Sequence, residues 1–578
     1  MTFEPNETAT PARGLSQNRL LPIVLVTAVY VFALAFTNAH YMADSGGYVV
    51  SILAYAGVEE YVVENPVVAD YRSENRFWDF GHLLWRPLGL VLFKFLTPVS
   101  SLVVGSDPAY NVRIQLMWVN WLAGLITILL MYSLTKILTG RRWVAVSVAV
   151  CFIFSHAFLN FAQTASSYVA GLAFIAAGLY LLLKDKGPSS RLASIGAGVA
   201  CAAAVIVWAP YLYVVPGTIA APLILFGTSR REKLSVIYAV AGFFVATGLA
   251  YLIVMAAIGV HTPSDFRDWL LASSHGIRTS GFARAVFGFA RSFIHMGNDG
   301  ILFKRFLLND PFNPVSAVDL VTLSLWKLAL FYLAFAATLI GLLVSRNYRM
   351  LALLAITALP LLLFGIKFDG AAIERYLPIY PVIFLALGWV LTRPQAPRLV
   401  KIVPLVFFGF TVLVNASVMA RVVLNRQKQA TEDRISAVIP QLKPKSWVVA
   451  SHLQDDLVNF QMSFPFEPVN RHNSYHVYPL LVLNSDQVET WREEFAARML
   501  EAWDRGGDAW ISARLFSPKP EASWNWVEGD DPRVPWDHLH KFFTQFDRGT
   551  VAGGADGFVQ LEKSERNEQL LRSTLQTP

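Results

Sequence analysis

Apolar residues fall in blocks along most of the chain. Each is about 17 to 25 residues long, the helix length needed to cross roughly 30 Å of hydrocarbon. The blocks lie near 20–38, 112–135, 143–161, 165–183, 192–208, 210–227, 234–259, 321–344, 350–366, 376–392 and 399–420. The pattern predicts about eleven membrane-spanning helices. Two long mixed segments, 39–111 and 260–320, interrupt it. Beyond residue 425 the runs become short, charged and rich in tryptophan. There Ser446–Ala450, Ala509–Phe516 and Gly557–Leu561 are expected as strands and Ser485–Trp503 as a capped helix. The expected fold is an all-α polytopic membrane domain over 20–425 and a C-terminal soluble α/β domain over 426–578, with a polar N-terminus over 1–19.

Charge between the blocks sorts the two faces. One set of short loops carries Lys136, Arg141 and Arg142; Lys184, Lys186 and Arg191; Arg230, Arg231 and Lys233; Arg346 and Arg349; and Arg393, Arg398 and Lys401. The positive-inside rule assigns these, with Arg13 and Arg19, to the cytoplasm. Both long loops and the C-terminal domain then face outward, in a plasma (inner) membrane. Gly81–Pro98 is apolar enough to cross but carries Arg86, Pro87 and Lys94. A twelfth span would invert every later loop, so it is expected to lie on the outer surface as an interfacial helix. In the second outer loop, Thr262 before Pro263 predicts a helix start, and Phe282–Met296 an amphipathic helix.

Composition agrees with a membrane chain. Of 578 residues 54% are hydrophobic and 15% charged, against about 25% charged in soluble domains. The net charge of +7 fits basic cytoplasmic loops and predicts no nucleic-acid partner. Cys151 and Cys201 sit inside apolar blocks and suggest neither a disulfide framework nor a metal site. A polar stretch, Met1 to Asn18, precedes the first apolar run, which has no clear small-residue cleavage site, so an uncleaved first span is expected. No phosphate-binding glycine loop and no GxSxG elbow occurs. His261, His275 and His295 lack zinc-ligand spacing, so no cofactor is expected.

The chemistry-bearing residues gather at the outward ends of the blocks. Asp44, in Met42-Ala43-Asp44-Ser45-Gly46-Gly47-Tyr48, follows the first span and can accept a proton. Glu59, Glu60, Glu64 and Asp79 are weaker candidates in the same loop. His82 and Arg86 are four apart and share a helix face, where arginine suits a phosphate. Lys367, Asp369, Glu374, Arg375 and Tyr376 open a late span ahead of Pro378 and Pro381. Lys327, two turns inside its span, either snorkels or meets a lipid phosphate. His452, Asp455, Asp456, His472 and His476 form a weak group in the C-terminal domain.

This layout resembles the polyprenyl-phosphate-sugar-dependent glycosyltransferases of the GT-C membrane fold, which include protein O-mannosyltransferases and lipid A aminoarabinose transferases. Three stretches carry the resemblance: MADSGGY with Asp44, GHLLWRPLG with His82 and Arg86, and ERYLPIYP with Arg375. It spans about residues 20–420. The single aspartate of ADSGG departs from the paired acidic residues of many members. The resemblance implies Asp44 as general base on an acceptor hydroxyl. Arg375, helped by Arg86 or Lys367, would hold the donor phosphate, and Glu374, Tyr376 and His82 would orient substrate. The implied partners are a polyprenyl-phosphate-linked sugar, membrane lipid, and an extracytoplasmic acceptor that is protein, lipid or glycan. Sugar transfer with inversion follows from a single displacement. The alternative is a transporter or flippase for a lipid-linked glycan, which would place ionisable groups near the bilayer midplane.

Overall fold

A computed structural model describes residues 20–41, 44–58, 77–185, 189–272, 281–296, 306, 315–443, 445–451, 457, 476–479, 490–518, 534–554 and 557–576. Glu59, Glu60, Glu64, His275, His452, Asp455, Asp456 and His472 lie outside the described residues, as does the side chain of His476.

All eleven apolar blocks are helical. Among the described residues eight helices are long and apolar enough to cross a membrane, and shorter apolar helices such as Leu21–Phe36, Tyr168–Leu183 and Arg191–Val207 accompany them. The chain is a multi-pass membrane protein. Four blocks are not continuous α-helices; 210–227 opens with the 3-10 turn Ala209–Tyr213 and 321–344 with the π-helical turn Val321–Leu325. The block 143–161 breaks after Arg142–Ile153 and restarts at His156–Phe161. The carbonyl of Phe154 at the break accepts a 2.7 Å hydrogen bond from the Asn415 amide, so the interruption leaves it satisfied where water is scarce. The block at 376–392 begins as a tight 3-10 turn, Ile373–Ile379, before the helix Tyr380–Thr392. Pro378 supplies no backbone N–H to an α-helical ladder, and Pro381 sits in the first turn of the helix that follows.

Small residues let helices approach closely. Arg191–Val207 crosses Arg230–Ala257 where a β-carbon on Gly198 would overlap the Ala239 carbonyl, and one on Gly242 the Ile195 carbonyl. Close backbone contact of this kind replaces the hydrophobic drive that lipid removes.

One end of the bundle is stitched by polar contacts. Thr37 bridges Ala420, and Asn38 N–H donates to the Met419 carbonyl. The Asn120 amide donates to the Thr164 and Ser166 carbonyls at 2.8 and 2.6 Å. The indole of Trp85 donates to the Ala165 carbonyl. The basic loops occupy the other end, where Arg349 donates to the Leu225 carbonyl.

The Trp85–Val104 helix starts at the stitched end. It is long and apolar enough to cross by length and composition. Its partners are the first turns of Pro108–Thr139: Gly89 faces Leu116, and Ser100 bonds to Asn111 and Gln115. That 32-residue helix is about 48 Å long at 1.5 Å per residue, longer than the hydrocarbon core. Trp85–Val104 therefore lies beside its overhang. Val91, Phe95, Val99, Leu102 and Val103 are exposed along it.

Among the described residues the C-terminal region forms a five-stranded mixed sheet in the order β2-β1-β3-β5-β4. β1 (Trp447–Ala450) runs parallel to β2 (His476–Pro479) and to β3 (Ala509–Ser512). β5 (Phe558–Leu561) is antiparallel to both β3 and β4 (Arg548–Ala552). The expected strand 509–516 ends at Ser512 and continues as a 3-10 turn. Trp447, Val449 and Ile511 bury one face against Trp491–Asp504 and Trp536–Phe543. Val448, Ala450 and Trp510 bury the other against Ile435, Val438 and Leu442, the period-two alternation of a strand.

Candidate active site

The segment leaving the first helix is held in place before it reaches Asp44. The Asn160 carboxamide accepts from the backbone N–H of His40 and Tyr41 at 2.7 and 2.8 Å and donates to the Tyr41 carbonyl. Asp44 then stands at the N-cap of Ser45–Tyr55, yet its side chain makes no cap hydrogen bond. The exposed carboxylate instead accepts a 2.7 Å hydrogen bond from the buried Tyr168 phenol. The Tyr48 phenol, one helical turn on, lies 3.4 Å from the same oxygen.

Behind Tyr48 stands a buried polar chain. Its hydroxyl is 3.1 Å from His82 Nδ1, which lies 2.9 Å from Ser167 Oγ. The Arg86 guanidinium sits 4.8 Å above the Tyr48 ring. It pairs with Asp79 at 3.2 Å, both side chains 2% exposed or less. Asp79 also caps the short turn Phe80–His82 by accepting from Gly81 N–H. Arg86 is therefore enclosed behind Tyr48 and already carries a carboxylate partner. His82 is likewise buried.

Arg375 is linked to Asp44 through Trp208 and Tyr168. Its guanidinium lies 4.6 Å from the Phe368 ring centroid, 5.9 Å from Phe364 and 6.0 Å from Trp208. Trp208 in turn packs on Tyr168, centroids 4.5 Å apart. The Arg375 Nε has no hydrogen-bond partner among the described residues. A half-buried guanidinium in an aromatic cage is oriented by cation–π contact while its N–H groups stay available. Glu374, the neighbour, is close enough for the charges of Arg375, Asp369 and Asp44 to act on it. Tyr376 points inward: its phenol donates to the carbonyls of Gly370 and Ala285 at 2.7 and 3.0 Å. It fastens the Arg375 turn to the Phe282–Phe293 helix. Lys367 is exposed at the end of Tyr348–Lys367 and makes no hydrogen bond or ion pair among the described residues.

The structure thus brings Asp44, Glu374 and Arg375 into one neighbourhood, with His82 and Arg86 one layer behind and Tyr376 beneath. Sequence reasoning did not single out Tyr168, Trp208 or Asn160. A signal existed for the last: Asn160, Gln163, Ser166 and Ser167 are polar positions inside otherwise apolar blocks. Among the described residues no group of His, Cys, Asp or Glu could hold a metal ion.

Residues 81–263 match the family model described as dolichyl-phosphate-mannose-protein mannosyltransferase. No curated protein matches the chain in sequence. Among solved structures, ArnT from Cupriavidus metallidurans in the apo state aligns over 95% of this chain and 98% of its own, with 13% identity and a TM-score of 0.40. The same protein bound to undecaprenyl phosphate aligns over the same shares with 13% identity and a TM-score of 0.39. The matched stretch, residues 81–263, includes His82, Arg86, Tyr168 and Trp208.

Proposed function

We propose that this protein is a membrane glycosyltransferase that moves a sugar from a polyprenyl-phosphate donor to an acceptor outside the cytoplasm. The observation that carries this reading is the Tyr168 junction. Its hydroxyl bonds Asp44 and its ring packs on Trp208, which faces Arg375. An exposed carboxylate and a caged guanidinium are thereby held in one neighbourhood. The description of the matched family, which names a lipid-phosphate-linked mannose, supports the same donor class.

In the proposed reaction Asp44 takes the proton of an acceptor hydroxyl as its oxygen attacks the anomeric carbon. The bond from that carbon to the phosphate oxygen breaks, and the electron pair leaves with the phosphate. The leaving group departs as an anion and needs charge stabilisation rather than a proton, which Arg375 supplies. The flanking centre is oxocarbenium-like, by analogy with glycoside chemistry. A single displacement inverts the anomeric configuration. Arg86 acts through Tyr48 rather than on the phosphate, since Asp79 already neutralises it. Lys367, exposed beside the cage, is free to meet the donor headgroup.

The site end is the extracytoplasmic one in this reading. The basic loops at the opposite end support that orientation. The position of Trp85–Val104 beside the overhang of Pro108–Thr139 supports an interfacial helix that leaves the count at eleven spans. The gathering of ionisable groups at one end, instead of midway along the helices, favours surface chemistry over transport.

The test is incubation of purified protein with radiolabelled polyprenyl-phosphate sugars and membrane extract. Labelled product that disappears with Asp44→Asn is expected. Full transfer by that variant would overturn the base assignment. Unchanged undecaprenyl phosphate affinity in Arg375→Gln would overturn the donor-phosphate assignment.

A further inference from the structure

A second cluster of basic groups lies beyond Tyr41, on side chains other than those that cage Arg375. Arg291 is buried, near the end of Phe282–Phe293. It donates to the Tyr41 hydroxyl at 2.5 Å and to the Ala371 carbonyl at 3.4 Å, with its guanidinium 4.9 Å from the Tyr41 ring centroid. Lys327 reaches in from the next long helix to within 3.1 Å of the His295 carbonyl. The His295 ring lies 5.0 Å from that of His156 and 5.1 Å from that of His40.

The hydrogen bonds fix which nitrogens are committed. His156 Nδ1 donates to the Arg291 carbonyl at 2.8 Å, so its Nε2 is an acceptor facing His295 Nδ1 at 3.4 Å. Two polar atoms in the cluster are left over. His40 Nδ1 and Arg291 Nε are buried without a hydrogen-bond partner among the described residues. No carboxylate among those residues pairs with Arg291, Lys327 or the three histidines. A buried guanidinium beside a second cation, with unused N–H groups and no counter-charge, is costly to maintain as a purely structural feature. The same set is what a phosphate-type anion needs: a planar donor fork, an ammonium and neutral imidazoles.

We infer that the Arg291–Lys327–His40–His295 cluster is a second anion site, which holds a phosphate or other multiply charged anionic group on the acceptor while Arg375 holds the donor phosphate. The inference rests on the donor assignment above and assigns the acceptor a chemical class: a molecule with an anionic group near the hydroxyl that receives the sugar. The two sites are built from different side chains, although the Arg291 helix packs on the loop before Arg375. The Arg375 cage uses Trp208, Phe364 and Phe368, whereas this cluster uses the 282–293 helix, Lys327, His40 beyond the first block and His156 at the break in the third. They meet through the His40–Asp44 segment, with Tyr41 on Arg291 and Asp44 on Tyr168. An acceptor anchored at Arg291 would present its hydroxyl to Asp44 from the side away from Arg375.

The experiment uses the full-length protein in detergent at constant ionic strength, with inorganic pyrophosphate as the anion probe and undecaprenyl phosphate as the donor-side probe. Pyrophosphate is expected to raise the unfolding temperature of the wild type, and to do so equally when undecaprenyl phosphate is already saturating. Lys327→Met and Arg291→Gln should each weaken pyrophosphate binding about tenfold or more, the scale of a lost charge-assisted hydrogen bond, and leave undecaprenyl phosphate affinity unchanged. Arg291→Lys keeps the charge and serves as the folded control if Arg291→Gln does not fold. Retention of full pyrophosphate affinity by Lys327→Met and Arg291→Gln would overturn the inference. So would mutual exclusion of the two probes, because a single site would then serve both. Loss of undecaprenyl phosphate binding in Arg375→Gln with pyrophosphate binding intact supports two sites. Failure of the donor assignment reads differently: Arg375→Gln would then bind undecaprenyl phosphate normally.

Discussion

The phenol of Tyr168 donates a 2.7 Å hydrogen bond to the Asp44 carboxylate, across 124 positions of sequence. Asp44 is exposed and Tyr168 buried, so a fixed interior group aims a surface carboxylate. Tyr168→Phe should therefore lower kcat and leave donor KM unchanged. The loss expected is roughly 10- to 100-fold, the rate equivalent of the ~1.5–3 kcal/mol carried by a hydrogen bond to a charged group. Steady-state kinetics with a labelled polyprenyl-phosphate sugar makes the measurement. A change confined to KM would argue for a substrate-binding role instead.

The pair Asp79–Arg86 is enclosed, with both side chains almost wholly buried. Breaking one side leaves an uncompensated buried charge, at a cost of ~3–5 kcal/mol. Asp79→Asn and Arg86→Gln should each sharply lower thermal stability in detergent. The double variant should recover much of the loss, since neither ion then remains. Additive losses in the double-mutant cycle would count against coupling between the two.

Gly288 marks where the Phe282–Phe293 helix meets the loop before Arg375. A β-carbon there would overlap the Gly370 carbonyl, which is backbone and cannot rotate aside. Gly288→Ala should cost ~1–3 kcal/mol as an overpacked contact. It should also reduce transfer, because the displaced loop carries the cage around Arg375. Unfolding scans and transfer assays on one preparation test both halves; an active, equally stable variant would show that the contact yields without consequence.

Acid should destabilise the histidine cluster. Burial, with the charges of His40, Lys327 and Arg291, pushes His295 from its ordinary value of 6.5 down to about 3. His40 is lowered too, by burial and by Arg291. Both shifts mean that the unfolded chain binds more protons than the folded one below about pH 6.5, so stability falls as pH drops from there toward about 3. Unfolding temperatures measured from about pH 7 to about pH 4 should decline. His295→Gln should flatten the slope, and an unchanged slope would remove His295 from the account.

Much of the membrane architecture was legible in sequence. Each apolar block became a helix because a backbone in lipid must satisfy its own hydrogen bonds, and the block length reports the thickness to be crossed. The strands at 447–450 and 558–561 were legible from local pattern, while β2 and β4 were not. β4 is largely exposed along its length and lacks the alternation that identifies a half-buried strand.

The site was legible only in part. Asp44, Glu374 and Arg375 declared themselves as charges at block ends, where insertion cost is least. Sequence could not say that Arg86 would meet Asp79, or that Tyr376 would turn inward to the Gly370 carbonyl. Nor could it place Tyr168, Trp208 and Asn160, which in one dimension are ordinary residues within or beside apolar runs. Their roles depend on which helix ends converge, and that is set by long-range packing: Asn160 on Tyr41, Asn415 on Phe154, Gly288 against Gly370. The chain by itself determined where the apolar helices would form and which residues would flank them, because those follow from local hydropathy and charge. Tertiary structure alone decided which polar ends meet, because a buried hydrogen bond or cation needs a partner that sequence distance does not reveal.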